Sequence, residues 1–124
     1  MEQYCKYDTS ILLKEKGFNE LCEANYFGPD STSVQIGLPT YNKYYVNGRC
    51  CAPSLDQAAK WLRERHSIYF ESSCAFDDTI SRRVVYSFHI YEIHDTFVWK
   101  YDTEYLSYEE AYESAIKYSL EHLI

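Results

Sequence analysis

Glycine and proline are scarce, with four glycines (17, 28, 37 and 48) and three prolines in 124 residues. So few glycines leave no loop able to cradle phosphates, and P-loop, G-x-G-x-x-G, G-x-S-x-G and H-E-x-x-H motifs are all missing. No apolar run approaches the ~20 residues that cross a bilayer. The five cysteines (Cys5, Cys22, Cys50, Cys51, Cys74) contain no C-x-x-C pair. A zinc site needs thiolates and imidazoles at short paired spacings, so neither a metal nor another cofactor is implied. No segment repeats and none is of low complexity, so solenoids and tails are excluded as well.

Basic residues are the other shortage. Twelve Lys and Arg face nineteen Asp and Glu, a formal charge of −7. The excess lies entirely in residues 71–124, where eleven acids meet only Arg82, Arg83, Lys100 and Lys117. A groove that follows phosphates needs clustered cations, so duplex nucleic acid is excluded as a direct partner, and anionic membranes are disfavoured for the same reason. A soluble, self-repelling surface is the commoner meaning of such an excess; the sharper one is a surface that docks a basic partner. An odd cysteine count and a mixed-charge stretch from Tyr4 to Lys16, with no signal-like apolar segment, lead to the expectation of a cytoplasmic protein with reduced thiols.

Aromatic residues are abundant: 14 Tyr, 6 Phe and 2 Trp. Apolar residues at 46% and charged residues at 25% fit a globular chain of one domain spanning 1–124. Thr9 and Ser10 are placed to cap a helix over Ile11–Lys16, stopped by Gly17. Residues 25–40 are rich in turn formers and read as a long surface loop with at most a brief strand at Val34–Ile36. Tyr41–Val46 reads as a strand closed by the Asn47-Gly48 turn. Ser54 and Gln57 form a capping box for a helix carrying Leu55, Ala58, Ala59 and Leu62.

A meander follows, over Ile68–Phe76, Arg83–Ile93 and Phe97–Tyr101, with turns at Asp77-Asp78-Thr79 and His94-Asp95-Thr96. In its middle strand Val84, Tyr86, Phe88 and Ile90 are assigned to the core, and Val85, Ser87, His89 and Tyr91 to the opposite face. Ser107 and Glu110 cap a last helix with Ala111, Tyr112, Ala115, Ile116 and Leu120 along one stripe. The order α-β-α-β-β-β-α predicts an α+β domain, an antiparallel sheet with amphipathic helices on one face.

From Ser54 onward the order matches a double-stranded-RNA-binding domain, but Glu109, Glu110 and Glu113 stand where such domains carry lysines, and that assignment fails. Leu12–Phe18, Pro53–Glu64, Ser107–Ala111 and Ala115-Ile116 resemble segments of small uncharacterised α+β proteins of gut Bacteroidetes genomes, their phages and prophages. The resemblance covers about a third of the chain, mostly caps and core stripes. It implies an intracellular, phage-associated protein and carries no activity or site residue.

Catalytic readings are thin. A Cys-dependent hydrolase would pair Cys74 with His89 or His94, but a strand cysteine is more often core. His89, His94 and Asp95 lack a third ligand for a metal. The aromatic excess points instead to recognition, since Tyr and Trp dominate interface hot spots. The expected surface comprises His89, Tyr91, Trp99 and Tyr101 with an acidic rim of Asp95, Asp102, Glu104 and Glu109. It suits a non-catalytic interaction protein with a protein partner or a second copy of the chain, such as a phage inhibitor of a host defence component. The alternative is a nucleotide-binding sensor or sponge, with Tyr41, Tyr44 and Tyr45 stacking on the ligand and Arg49, Arg82 or Arg83 on its phosphates.

Overall fold

The computed structural model of the chain describes residues 3–29, 33–76, 84–94, 97–105 and 107–124, with the backbone alone at 76, 94 and 97–104. The chain is α+β, and it divides into two compact units, Met1–Ala58 and Ala59–Ile124. The strands make two three-stranded antiparallel sheets, one per unit, where a single sheet was expected.

The first unit opens with α1 (Tyr7–Glu15). Thr9 and Ser10 are buried inside this helix and do not cap it. Asp8 supplies the negative charge of the first turn and accepts from the Thr9 amide at 3.0 Å. The C-terminus behaves as the sequence requires. Gly17 takes φ +100°, its amide donates to Lys14 O, and the Phe18 amide donates to Leu13 O. That pair of bonds is a Schellman motif, and Leu13 and Phe18, both buried, are its apolar contact positions.

The sheet of this unit has the order β2-β1-β3, with β1 at Cys22–Tyr26, β2 at Gln35–Thr40 and β3 at Cys50–Cys51. The stretch expected to be loop thus holds a strand over 35–40. Asn25 pairs with Gln35 and Ala24 with Ile36, but Cys22 pairs with Thr40, so β2 carries two extra residues between rungs. An edge strand tolerates such a bulge and the proline in it, because its outer side owes no hydrogen bonds.

Tyr41–Val46 is not a strand. Asn42–Tyr44 form a turn of 3-10 helix, with Tyr44 N donating to Tyr41 O and Tyr45 N to Asn42 O. The buried Asn42 amide decides this: its Nδ2 donates to Phe18 O and its Oδ1 accepts from Cys51 N, both at 2.8 Å. These bonds draw the segment inward at one residue, which regular strand pairing would not do. The Asn47-Gly48 turn forms as expected, with φ of 56° and 81°, the left-handed pair of a type I′ turn.

α2 (Leu55–His66) crosses from the first unit into the second. Ser54 Oγ accepts from the Gln57 amide at 3.1 Å, but the Gln57 side chain leaves the capping box and donates to Leu21 O. At its end, burial first and the Arg65 charge second hold the His66 pKa below its ordinary 6.5. The imidazole sits edge-on to Trp61 at 4.9 Å. The folded state therefore favours neutral His66. The stability this confers is complete above pH 6.5 and is lost as pH falls through the depressed value. Urea titrations between pH 7.5 and pH 5 should show this decline, and His66→Gln should remove part of it; an unchanged slope refutes the assignment.

The second unit is the expected meander, β4 (Ile68–Phe76), β5 (Val84–His94) and β6 (Phe97–Tyr105), followed by α3 (Tyr108–His122). The turns expected at 77–79 and at 94–96 fall wholly or mainly outside the described residues. α3 lies against β5 and β6. Tyr112 stacks on Phe88 at 4.7 Å, and Tyr108 meets Tyr86 and Phe88 at 6.1 and 5.4 Å. Phe88 and Ile90 are buried under this helix, as alternation requires, while Val84 at the strand's far end is exposed.

Candidate functional site

The face of the second sheet turned away from α3 carries Tyr69, Glu71 and Ser73 on β4 and Ser87, His89 and Tyr91 on β5. Register sets Glu71 and Asp102 on either side of His89, Tyr69 and Lys100 beside Tyr91, and Ser73 and Glu104 beside Ser87. Ser73 Oγ lies 2.8 Å from Ser87 Oγ and 3.4 Å from His89 Nε2. Serine, imidazole and carboxylate are the components of an acyl-transfer triad. Here they form a row across the sheet, joined by the Ser73–Ser87 and Ser73–His89 contacts. The arrangement is a polar hydrogen-bonded row.

The expected recognition surface does not assemble. Trp99 pairs with Glu92 and Tyr101 with Ile90, so both positions fall on the α3 side of the sheet, opposite the face of His89 and Tyr91. Single-strand patterning cannot reveal this, because the faces of two strands are matched only by their register. Asp102 and Glu104 do share the face of His89. Glu109 sits in the first turn of α3 and accepts the Ser107 hydroxyl at 3.1 Å, a helix-terminal role. Asp95, Arg82 and Arg83 lie outside the described residues.

Cys74 is exposed, contrary to the expectation of core packing. β4 is an edge strand, and from Glu71 to Ala75 every side chain is exposed. Cys74 pairs with Tyr86, on the face opposite His89, so these two cannot form a Cys–His couple. The other four thiols are buried, and burial pushes Cys50 up to about 12. The Cys22 and Cys51 thiols influence each other in opposite directions, which raises Cys22 and lowers Cys51. Iodoacetamide at pH 7.5 should therefore modify the native protein once, at Cys74, and peptide mapping that finds Cys51 labelled as fast would refute this. Among the described residues no cluster of His, Cys, Asp and Glu is arranged to hold a metal ion.

The structure instead gathers four of the alternative-site residues in the first unit. Lys43 Nζ lies 5.6 and 5.1 Å from the Tyr41 and Tyr44 ring centres. The Arg49 guanidinium lies 4.7 Å from the centre of Phe27 and 5.0 Å from that of Tyr45. α1 fixes the turn that bears Arg49: Lys14 Nζ donates to the carbonyls of Tyr45 and Arg49, and Tyr7 donates its hydroxyl to Gly48 O. A cavity of about 240 Å³ opens between Lys14, Phe18, Asn42 and Lys43.

β2 leads directly into the turn that bears Tyr41, Lys43 and Tyr44. The bulge lifts Gly37-Leu38-Pro39 clear of the ladder, leaving Leu38 91% and Ile36 62% exposed. Seven of the twelve exposed large apolar side chains among the described residues fall between Leu21 and Val46. No protein-family model, curated protein or solved structure matches the chain.

One signal for this region was present in the sequence. Residues 31–55 contain no acid at all, although the chain carries nineteen. The net charge of each half does not reveal that run, and no sequence feature marked Phe27, Ile36 or Leu38 as exposed.

Proposed function

We propose that the protein is a non-catalytic interaction module that docks a protein partner through the β2 edge and the adjoining Tyr41–Tyr44 turn. The observation that carries this reading is the exposed apolar strand in an acid-free segment of a chain of charge −7. Soluble chains rarely leave such apolar surface uncovered unless something binds it. Leu38 at the tip of the bulge is shaped as an anchor, the kind of protruding side chain that fills a partner's pocket. Lys43, in the turn that follows β2, matches a pocket rimmed by carboxylates. The resemblance to phage-borne proteins would make that partner a host component and inhibition its consequence.

The test is quantitative capture from a host lysate by the immobilised chain, with variants that separate the two surfaces. Leu38→Asp should lower capture of the dominant partner at least about tenfold, the effect of losing a hot-spot residue. Glu104→Lys with Glu109→Lys should leave it within about twofold, as expected for charges outside the contact. The reverse pattern would move the interface to the second unit. Equal capture by all variants would end the proposal.

A further inference from the structure

Arg49 has an environment that the docking of an apolar strand does not require. Its guanidinium lies over two rings, Phe27 and Tyr45, and no carboxylate pairs with it among the described residues. Its Nε is out of solvent and makes no hydrogen bond. The two Nη groups, which complete the fork, also carry no hydrogen bond among the described residues. Three side-chain bonds from α1, one from Tyr7 and two from Lys14, fix the carbonyls of residues 45, 48 and 49 that set its backbone. Among the described residues the side chain is therefore held in place without a counter-ion.

A guanidinium with its faces against aromatic rings and its edge free is preorganised for a bidentate oxyanion. The rings restrict its rotamers, so little freedom remains to be lost on binding. Phe27 is itself more than half exposed and offers an apolar wall beside that edge. We propose that Arg49 is a receptor for an oxyanion, carboxylate or phosphate monoester, borne on an aromatic body that rests against Phe27. Tyr45 acts as a positioning residue, holding the guanidinium from its other ring contact. The site stands whether or not β2 docks a protein.

The test uses the full chain and four probes: benzoate, phenyl phosphate, acetate and inorganic phosphate. A buried Nε–H exchanges slowly, so the Arg49 side-chain resonance is the reporter in ¹⁵N NMR titrations at pH 7. Benzoate or phenyl phosphate should shift it along a saturating curve, and the aryl probe should bind at least about threefold tighter than its ring-free counterpart, the return for burying a ring edge. The stronger of the two aryl probes identifies the oxyanion. Arg49→Lys keeps the charge but removes the fork, and should weaken binding about tenfold, read from the Phe27 and Tyr45 ring resonances. Phe27→Leu should abolish the aryl preference alone. Linear, non-saturating shifts spread equally over surface lysines, or binding unchanged in Arg49→Lys, would overturn the proposal.

Discussion

Phe88→Ala is expected to destabilise the protein by about 3–5 kcal/mol, the cost of emptying a buried aromatic site. Phe88 is 3% exposed, and its ring stacks on Tyr112 at 4.7 Å while Tyr108 closes a second side at 5.4 Å. Neither tyrosine can follow the truncated side chain, because both are fixed to α3, so a cavity would remain between helix and sheet. Domains of this size have about 5–15 kcal/mol in total, so the variant approaches the limit of folding at 37 °C. Urea unfolding followed by tyrosine and tryptophan fluorescence measures the effect. Phe88→Leu should recover most of the loss, and Val84→Ala, at the exposed end of the same face, should cost less than about 1 kcal/mol. A cost below 1 kcal/mol for Phe88→Ala would mean that α3 does not roof this strand.

Asn42→Ala should cost about 2–6 kcal/mol, although it removes no apolar surface. Its amide joins the Phe18 carbonyl to the Cys51 amide at 2.8 Å each, and both are buried. Alanine would leave a donor and an acceptor without partners, at roughly 1–3 kcal/mol each. Asn42→Asp keeps an acceptor for the Cys51 amide but sets a carboxylate against the Phe18 carbonyl, so it should be equally damaging. The loss has a functional reading, since the same residue shapes the turn that bears Tyr41, Lys43 and Tyr44. Hydrogen exchange should show protection falling first at Asn42–Tyr44 and at β3, with partner capture reduced in parallel. An alanine variant with unchanged exchange at Cys51 would show that the amide bridge is not what holds the turn.

The elements that the sequence foretold are those governed by local chemistry. Gly17 stops α1 because only a residue free to adopt positive φ closes a Schellman motif there. Ser54 and Ser107 begin their helices because a hydroxyl satisfies an orphan amide three residues on. The alternation from Val84 to Ile90 identified the buried face of β5, since period-two patterning is fixed by the pleat itself. By contrast, β1, with its sequence CEANY, and β3, a mere two residues, have little β-branched or alternating character, and only pairing across the chain makes them strands.

The candidate site divides in the same way. Tyr41, Tyr44, Tyr45 and Arg49 were legible as a group because they are close in sequence. Phe27 joins Arg49, and Leu38 projects from β2, through a contact and a bulge that depend on register between distant segments.

Composition and local pattern therefore determined an α+β chain, the Gly17 stop of its first helix, the serine starts of the other two and the buried side of its long strand, because caps, turns and periodicity act within a few residues. Tertiary structure alone decided that Trp99 and Tyr101 part from His89, that Asn42 bends a tyrosine-rich segment into a turn, and that Arg49 is seated on Phe27. Each of these rests on strand register or on hydrogen bonds between residues far apart in the chain, and neither leaves a trace in any short stretch of sequence.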